Sequence, residues 1–545
     1  MFIQLTQQRV IIDSKDNGKS QRVPVKCTIK KLWAFAMIAM LVLAGQAWAK
    51  ALPGSHIKIF IPSLPYIYTS HATNGALLRP ADNKRGWDYD MAISHRLIDD
   101  RTYEFILRKN VLFQDGTPFN ADSVVENMTY FKKTPFLFTK IDTVFHRVKK
   151  IDDYTVRFYL NEKYGQFLND TIWIQFYTSA YLKKFGWNGK LTCPNLAEPG
   201  PYGLGPYILK AGYAEGDRQT PEVVLVANPN YWNPNYPKVE TITVYTELDT
   251  KIAMENVFDK DGVLDIMPIP FSMKCKVDAS PYAKLISVPS TSSVAIYMNL
   301  RNGNKRLLDK KVRVALNRAI DQAHLLERAY YGEGTLKPTL ASPLFPGVRE
   351  VVKTLRPYSE IQNPKEIRGE LKGILNGLTL KVLTQDRFMF IWKGVARDLR
   401  KVGVKLEFEI TTSEKHVFDQ LLTTNAGKNT KPWDFLVFGC DDWVYNHPWS
   451  AFLVYRTHNA WSTIFPDPVL DSYIDALFRV SVGTPEFTVI CDRIMRHVYD
   501  NAYMLFVPAP NKLLAVNINV NYKPYRMACI PLWKIEVSKA HWSVR

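Results

Sequence analysis

Between Leu378 and Ile410 the sequence reads as strand, helix, strand, and this unit constrains the fold more tightly than any other stretch. Leu378–Leu383 reads as a strand, Trp392–Val402 as a helix stopped by Gly403, and Val404–Ile410 alternates apolar and charged residues like a second strand. A glycine just past the last helical residue accepts the left-handed turn that ends a helix. Two strands joined through one helix pass by a right-handed crossover, so they belong to a parallel or mixed sheet. The expected class is α/β.

The rest of the chain alternates in the same way. Strands are expected at Ile57–Ile61, closed by Pro62, and at Tyr103–Leu107, Thr155–Leu160, Val223–Val226 and Thr241–Tyr245. Ala121–Phe131 reads as a helix with Asn120 as its N-cap and Asp122 in the first turn. Apolar residues at 312, 315, 316, 319, 320 and 323 predict one helix from Val312 to Ala329. At 545 residues, 46% hydrophobic and 22% charged, the chain can fill two or three domain-sized cores and is neither disordered nor fibrous. No run of about 18 apolar residues occurs, which excludes a multi-pass transporter.

The amino end reads as a targeting segment. Lys26, Lys30 and Lys31 precede an apolar stretch from Leu32 to Ala44, and Ala47-Trp48-Ala49 supplies a small-x-small site. Cleavage after Ala49 is expected, with an uncleaved anchor as the other reading. Gln46 stands where a lipoprotein signal would carry its Cys, so no lipid anchor is expected. Residues 1–49 hold seven Lys/Arg and two Asp, which leaves +13 of the chain's +18 on the remainder. Those cations are scattered, with no run longer than three, so a nucleic-acid groove is not expected. Five cysteines follow the signal (Cys193, Cys275, Cys440, Cys491, Cys529), an odd number without a C-x-x-C pair.

Signatures of catalysis are absent: there is no H-E-x-x-H, G-x-S-x-G, G-x-G-x-x-G or phosphate-cradling loop. Asp441 and Asp442 are adjacent carboxylates with His447 nearby. Such a group can serve acid–base chemistry or hold a metal, yet an Asp pair in a loop more often forms turns or caps.

Several blocks carry a family resemblance. Thr102–Arg108 followed by Phe113-Gln114-Asp115-Gly116-Thr117-Pro118-Phe119-Asn120-Ala121-Asp122 resembles the signature of the family 5 solute-binding proteins, the peptide- and nickel-binding components of bacterial ABC importers. Gly203-Leu204-Gly205-Pro206-Tyr207, Asn228–Trp232, and Val312-Arg313 with Ala315-Leu316 and Ala319-Ile320-Asp321 resemble later blocks of that family, in order. The resemblance implies a two-lobed periplasmic-binding-protein (flytrap) fold with mixed sheets, an extra subdomain in the first lobe and a two-strand hinge. Lobe 1 is expected from 50–75, 198–289 and 505–545, the extra subdomain from 76–197, and lobe 2 from 290–504. It further implies an exported, periplasmic monomer that closes on a small peptide or peptide-like solute and hands it to an ABC permease in the inner membrane. No enzyme activity, metal or cofactor is implied.

For the ligand, the resemblance points to the loop Phe438–Pro448. Peptide-binding members carry there an Asp that pairs with the peptide amine; aligned on Gly439, Asp442 falls near it, whereas aligned on Tyr445 and Pro448 the position holds Val444. Trp443, Tyr445 and Trp449 on the same loop are candidates for stacking on a ligand or for packing between lobes. Arg387 lies between a strand end and a helix start, where anions are favoured, and is a candidate carboxylate clamp. Tyr66 and Tyr68, after the first strand, are candidates for the opposing wall. Nickel-chelate binders use an Arg where Gln175 stands here, which weighs against a chelate. Haem, glutathione, opines and antimicrobial peptides are further ligand classes of the family. A sensing or chaperone-like role, or a secreted hydrolase, are the other classes of function left open.

Overall fold

The computed structural model describes residues 51–544 apart from 63–64, 135, 137–138, 188–195, 216–217, 258–263, 362, 364, 426–432, 441, 443–444, 458 and 460. The expected signal segment and Trp443 lie outside the described residues. The anticipated crossover is present. Thr379–Gln385 and Lys405–Thr411 are parallel neighbours, with Thr379 opposite Lys405 and Gln385 opposite Thr411, and the helix Met389–Arg400 connects them. One face of that helix, Ile391, Trp392, Val395 and Leu399, is buried. The Trp392 indole Nε1 donates to Thr384 Oγ1 at 3.0 Å, which locks the helix onto its own sheet. Gly403 turns the chain at φ +84, and a Cβ there would meet Asn376 Oδ1 at 2.3 Å, so only glycine fits.

These strands belong to a five-stranded mixed sheet in the order Lys405–Thr411, Thr379–Gln385, Phe435–Cys440, Ser293–Met298, Met504–Leu505. A second mixed sheet, of eight strands, is built around Leu52–Phe60, which pairs in parallel with Val239–Tyr245 and Ile266–Pro268. Its antiparallel strand Ala509–Asn517 returns from the far end of the chain and pairs with Ala283–Pro289. Thus two short stretches, 290–292 and 506–508, lead from one large sheet to the other. A four-stranded antiparallel sheet, Ala92–Asp99, Thr102–Leu107, Thr155–Leu160 and Phe145–Asp152, forms a third layer. The helix Ala121–Phe131 packs beside it, capped by Asn120, whose Oδ1 accepts the N–H groups of Asp122 and Ser123 at 3.0 and 3.2 Å.

One expected helix is two. Lys310–Ala319 ends at Ile320, which is extended, and Gln322–Ala329 starts afresh. The Asp321 carboxylate accepts the His324 N–H at 3.0 Å, so it satisfies a helix start instead of continuing one. Apolar spacing ran across the break through Ala323, which is exposed in the second helix, where Gln322 and Leu325 are the buried residues.

The family blocks up to Trp232 meet in one knot, whereas the block at Val312–Asp321 packs elsewhere, with Arg313 and Asn317 bonded to Asn501 and Met504. Gln114 is buried; its amide donates to the carbonyls of Thr73, Gly205 and Tyr207 at 3.0, 3.3 and 2.7 Å and accepts from Gly203 N–H at 3.1 Å. The Asn228 side chain donates to the same Gly205 carbonyl at 2.9 Å. Arg108 lies 3.6 Å over the Trp232 ring. Among the described residues no helix is long and apolar enough to cross a membrane, and Cys275, Cys491 and Cys529 are free thiols.

Candidate ligand-binding site

The carboxyl ends of parallel strands are where α/β folds place ligands. Here the ends of Leu52–Phe60 and Ile266–Pro268 in one large sheet and of Thr379–Gln385 and Lys405–Thr411 in the other line a common cavity of about 1380 Å³. The two walls differ in chemistry. The eight-stranded sheet presents Phe60, Pro62 and the run Pro268–Phe271, with Ser272 beside them and Gln219 contributed by a separate two-stranded sheet, Ala214–Glu215 with Arg218–Gln219. The five-stranded sheet and its helices present Arg328, Arg387, Lys393, Arg397 and Lys415 against one carboxylate, Asp386.

Local sequence accounts for the charged wall. After Gln385 the chain makes a single tight turn, Asp386–Phe388, and enters the helix Met389–Arg400, so the helix N-terminus and Arg387 open onto the cavity. Arg387 is exposed, and its Nε and Nη2 donate to Gln385 Oε1 at 3.1 and 2.8 Å, which steadies the guanidinium. Met389, Lys393 and Arg397 recur every four residues along one stripe of the helix, beside the buried Trp392. Arg397 is held by Asp398 at 3.1 Å and touches His324 at 2.6 Å. The helix Glu414–Asn425 also begins at this wall, after Thr412 and Ser413.

Phe271 of the apolar wall meets Phe390 of the charged wall and the wholly buried Tyr330, with ring centroids 5.4 Å from each. Tyr330 and Phe390 are 5.3 Å apart, which completes an aromatic trio spanning both walls.

The loop holding the remaining candidates forms a second, buried cluster. Asp442 is wholly buried; both its oxygens accept the Asn446 N–H, at 2.8 and 3.0 Å. Burial pushes its carboxyl up to about 7, against the opposing pull of that N–H and of Thr291. The loop-capping role weighed against amine binding is thus the one its contacts display. Tyr445 is wholly buried, and its ring packs on Trp173 and on His71. Tyr68 is half-buried beside it, and Tyr66 is buried in the short helix Pro65–Thr69. Trp449 is buried with its ring 4.5 Å from Phe478. His447 is buried too, its Nδ1 accepting the Trp449 N–H at 3.1 Å, and burial pushes the ring down to about 3. A ring so placed stays neutral at neutral pH. Among the described residues no group of three His, Cys, Asp or Glu side chains is arranged to hold a metal. Gln175 is buried, bonded to Asn74 and Ser70 at 3.1 and 3.0 Å.

A family model, Bacterial extracellular solute-binding proteins, family 5 Middle, matches residues 89–463. The chain belongs to this family. Among curated members of family 5, the glutathione-binding protein GsiB of Escherichia coli K12 is 30% identical over 335 residues, spanning 58% of this chain and 60% of GsiB. The di/tripeptide-binding protein 3 of Pseudomonas aeruginosa is 24% identical over 385 residues, 63% of this chain and 69% of that protein. Among solved structures, the murein tripeptide binding protein MppA of Escherichia coli matches with TM-score 0.71 at 18% identity, covering 89% of this chain and 99% of MppA. The oligopeptide-binding protein AppA of Bacillus subtilis, solved with a nonapeptide, matches with TM-score 0.70 at 18% identity, covering 90% and 100%. NikA of Brucella suis, solved with Fe(III)-EDTA, gives 0.72 at 17% identity, covering 89% and 100%. The mixed α/β flytrap architecture of family 5 is therefore that of this chain.

Sequence reasoning placed Arg387 at the cavity wall but missed Lys393, Arg397, Arg328 and the trio Phe271–Tyr330–Phe390. The four-residue recurrence of Met389, Lys393 and Arg397 was the available signal. It was indistinguishable from a solvated helix face until a facing wall was known.

Proposed function

We propose that the protein is the extracytoplasmic substrate-binding component of an ABC importer, capturing a peptide or peptide-like solute between two closing lobes. The observation that carries this reading is the cavity of about 1380 Å³ lined by the ends of both large sheets, in a chain whose family is one of solute binders. Relatives named for glutathione and for di- and tripeptides favour a peptide-like solute. The lobes are 50–75, 198–289 and 505–545 for the first, with 76–197 as its extra subdomain, and 290–504 for the second. Residues 1–49 act as a cleaved export signal without a lipid anchor, and the mature protein works as a periplasmic monomer that delivers its cargo to an inner-membrane permease.

The mechanism needs no chemistry on the solute. A solute touching both walls is bound fully only when they approach, so its binding energy is spent on shutting the cleft. Shifting the population from mostly open to mostly closed requires roughly 5 kcal/mol of differential affinity. Within the cleft, Arg387 is the first candidate to hold a carboxylate, being steadied by Gln385 at a helix N-terminus.

Native mass spectrometry of protein purified without refolding tests the reading. A co-purifying mass equal to one peptide or a mixture of short peptides, lost on unfolding, is expected. Protein that stays ligand-free and binds no member of a short-peptide library by calorimetry would overturn it.

A further inference from the structure

We infer that the solute carries a bulky apolar side chain, aromatic or branched, and seats it on the Phe271–Phe390 contact where the two walls meet. The inference rests on the cleft reading above and adds the substrate class. The cations of the charged wall find partners within the protein: Arg328 pairs with Glu327 at 3.6 Å, Arg397 with Asp398 at 3.1 Å and Lys415 with Asp419 at 2.5 Å. Charge on the solute would compete with those partners. Apolar surface on the facing wall has no such competitor.

Prolines decide how the first wall can read a solute. Pro62, Pro268 and Pro270 line the cavity and have no N–H. The amides beside them are already spent: Ile61 donates to the Tyr245 carbonyl at 2.9 Å and Ile269 to that of Leu513 at 3.0 Å. Along 61–62 and 268–270 no backbone donor is left over. A peptide lying there finds no N–H for its carbonyls, so it cannot extend the sheet as an added strand. Recognition by this wall falls to side-chain contact, and what it exposes is proline rings and the half-buried Phe271.

Phe271 stands where the walls touch. Its ring lies 5.4 Å from that of Phe390, and both are half-buried and line the cavity, as does Met389 beside them. The wholly buried Tyr330 packs against both rings, 5.4 Å from Phe271 and 5.3 Å from Phe390. Aromatic pairs favour a further ring at such a spacing, offset or edge-on, and a methionine thioether adapts to whatever shape is laid on it. A side chain placed there touches Phe271 of the first lobe and Phe390 and Met389 of the second at once. It is buried only when the lobes are shut, so the removal of its apolar surface from water favours closure directly. A solute with small side chains alone would leave these rings wet and gain nothing there by closing.

Calorimetry with a set of tripeptides decides: tri-alanine, Phe-Ala-Ala, Ala-Phe-Ala and Ala-Ala-Phe, the same three with Gln in place of Phe, and phenylpropionate as an apolar non-peptide. At least one Phe peptide is expected to bind about tenfold more tightly than tri-alanine and than its Gln counterpart, the scale of one large apolar side chain taken from water. Its binding should show the more negative heat-capacity change, and added salt should leave the preference in place. Phe271→Ala and Phe390→Ala each lose the contact between the walls and so weaken every peptide. The readout is therefore the ratio of the Phe to the Gln peptide, which should lose most of its value in both variants and survive in Phe271→Leu. A ratio near unity in the wild type, or undiminished in either alanine variant, overturns the side-chain assignment and leaves the peptide reading intact. Binding of phenylpropionate with none of the peptides keeps the assignment and overturns the peptide reading. No binding by any probe overturns both.

Discussion

Trp173 and Tyr445 stack with ring centroids 4.9 Å apart and planes 17° from parallel, so that the turn after the helix Phe167–Asp170 rests on the loop leaving the five-stranded sheet. Two hydrogen bonds flank the stack: Asn169 Nδ2 donates to the Tyr445 carbonyl at 2.7 Å, and Asn446 Nδ2 to the Lys84 carbonyl at 2.6 Å. These contacts join segments that the proposed motion separates. An aromatic pair is worth about 0.5–1.5 kcal/mol beyond its buried area. Trp173→Ala is therefore expected to weaken solute binding roughly two- to tenfold and to enlarge the radius of gyration of the ligand-free protein. Unchanged scattering and unchanged affinity would show that the stack does not report on closure.

Gln114→Ala should act on folding instead. Its side chain makes four hydrogen bonds to backbone groups 41 to 93 residues away, all buried. Truncation leaves several of those groups without a partner, at a cost on the order of 3 kcal/mol in total. A clear fall in melting temperature is expected, with affinity at low temperature little altered. A variant that melts like the wild type would mean that water replaces the amide without loss.

Stability should depend on pH through two buried carboxyls. Asp170 is wholly buried, and burial pushes it up to about 7 although Tyr164 and Gln166 donate to it at 2.5 and 3.0 Å. Asp442 stands at about 7 for the same reason. Both lie above the ordinary value of 3.8, so the native state holds protons that the unfolded chain has released. The resulting stabilisation is complete below about pH 4 and is lost as pH rises through about 7. The buried His447 and His71, both pushed down to about 3, pull the other way over the same range, so the test is the difference: Asp170→Asn should shift the change in stability from pH 4 to pH 7 upward relative to the wild type by on the order of a few kcal/mol. Parallel stability–pH curves for the variant and the wild type would exclude a raised Asp170.

How far the sequence could be read depended on the range of each interaction. The unit from Thr379 to Thr411 was legible because strand alternation, helix spacing and Gly403 are local signals. The break at Ile320 was not, because apolar spacing continued unbroken across it and only the capping bond of Asp321 marks the restart. Arg387 could be placed at a wall because a strand end followed by a helix start is itself a position. Lys393 and Arg397 could not, since what distinguishes them from solvated helix residues is the proline- and phenylalanine-lined wall opposite, more than a hundred residues earlier in the chain. Asp442 had two registers open to it; the bonds from the Asn446 N–H tie it to its own loop, a contact four residues long that no alignment of motifs decides. Gln114 stood only inside the family signature, and its partners lie too far along the chain for spacing to reveal them.

Two glycines separate the energetics of closure from those of folding. Gly165 donates its N–H to the Phe478 carbonyl at 2.7 Å, and a Cβ on it would lie 2.1 Å from the Val480 carbonyl oxygen. Gly203 is equally crowded, its Cβ position 2.1 Å from the Thr73 oxygen. On the proposed division into lobes the first clash lies between segments that part when the lobes open, so opening would relieve it; the second lies inside the knot around Gln114, where no rigid-body movement helps. Gly165→Ala is accordingly expected to leave the melting temperature of ligand-free protein near that of the wild type, to expand it in small-angle scattering, and to weaken solute binding about tenfold or more. Gly203→Ala should instead lower the melting temperature sharply. Were Gly165→Ala to melt as early as Gly203→Ala without any change in dimensions, the contact at Phe478 would belong to a fixed body, and the line along which the lobes part would have to be drawn elsewhere.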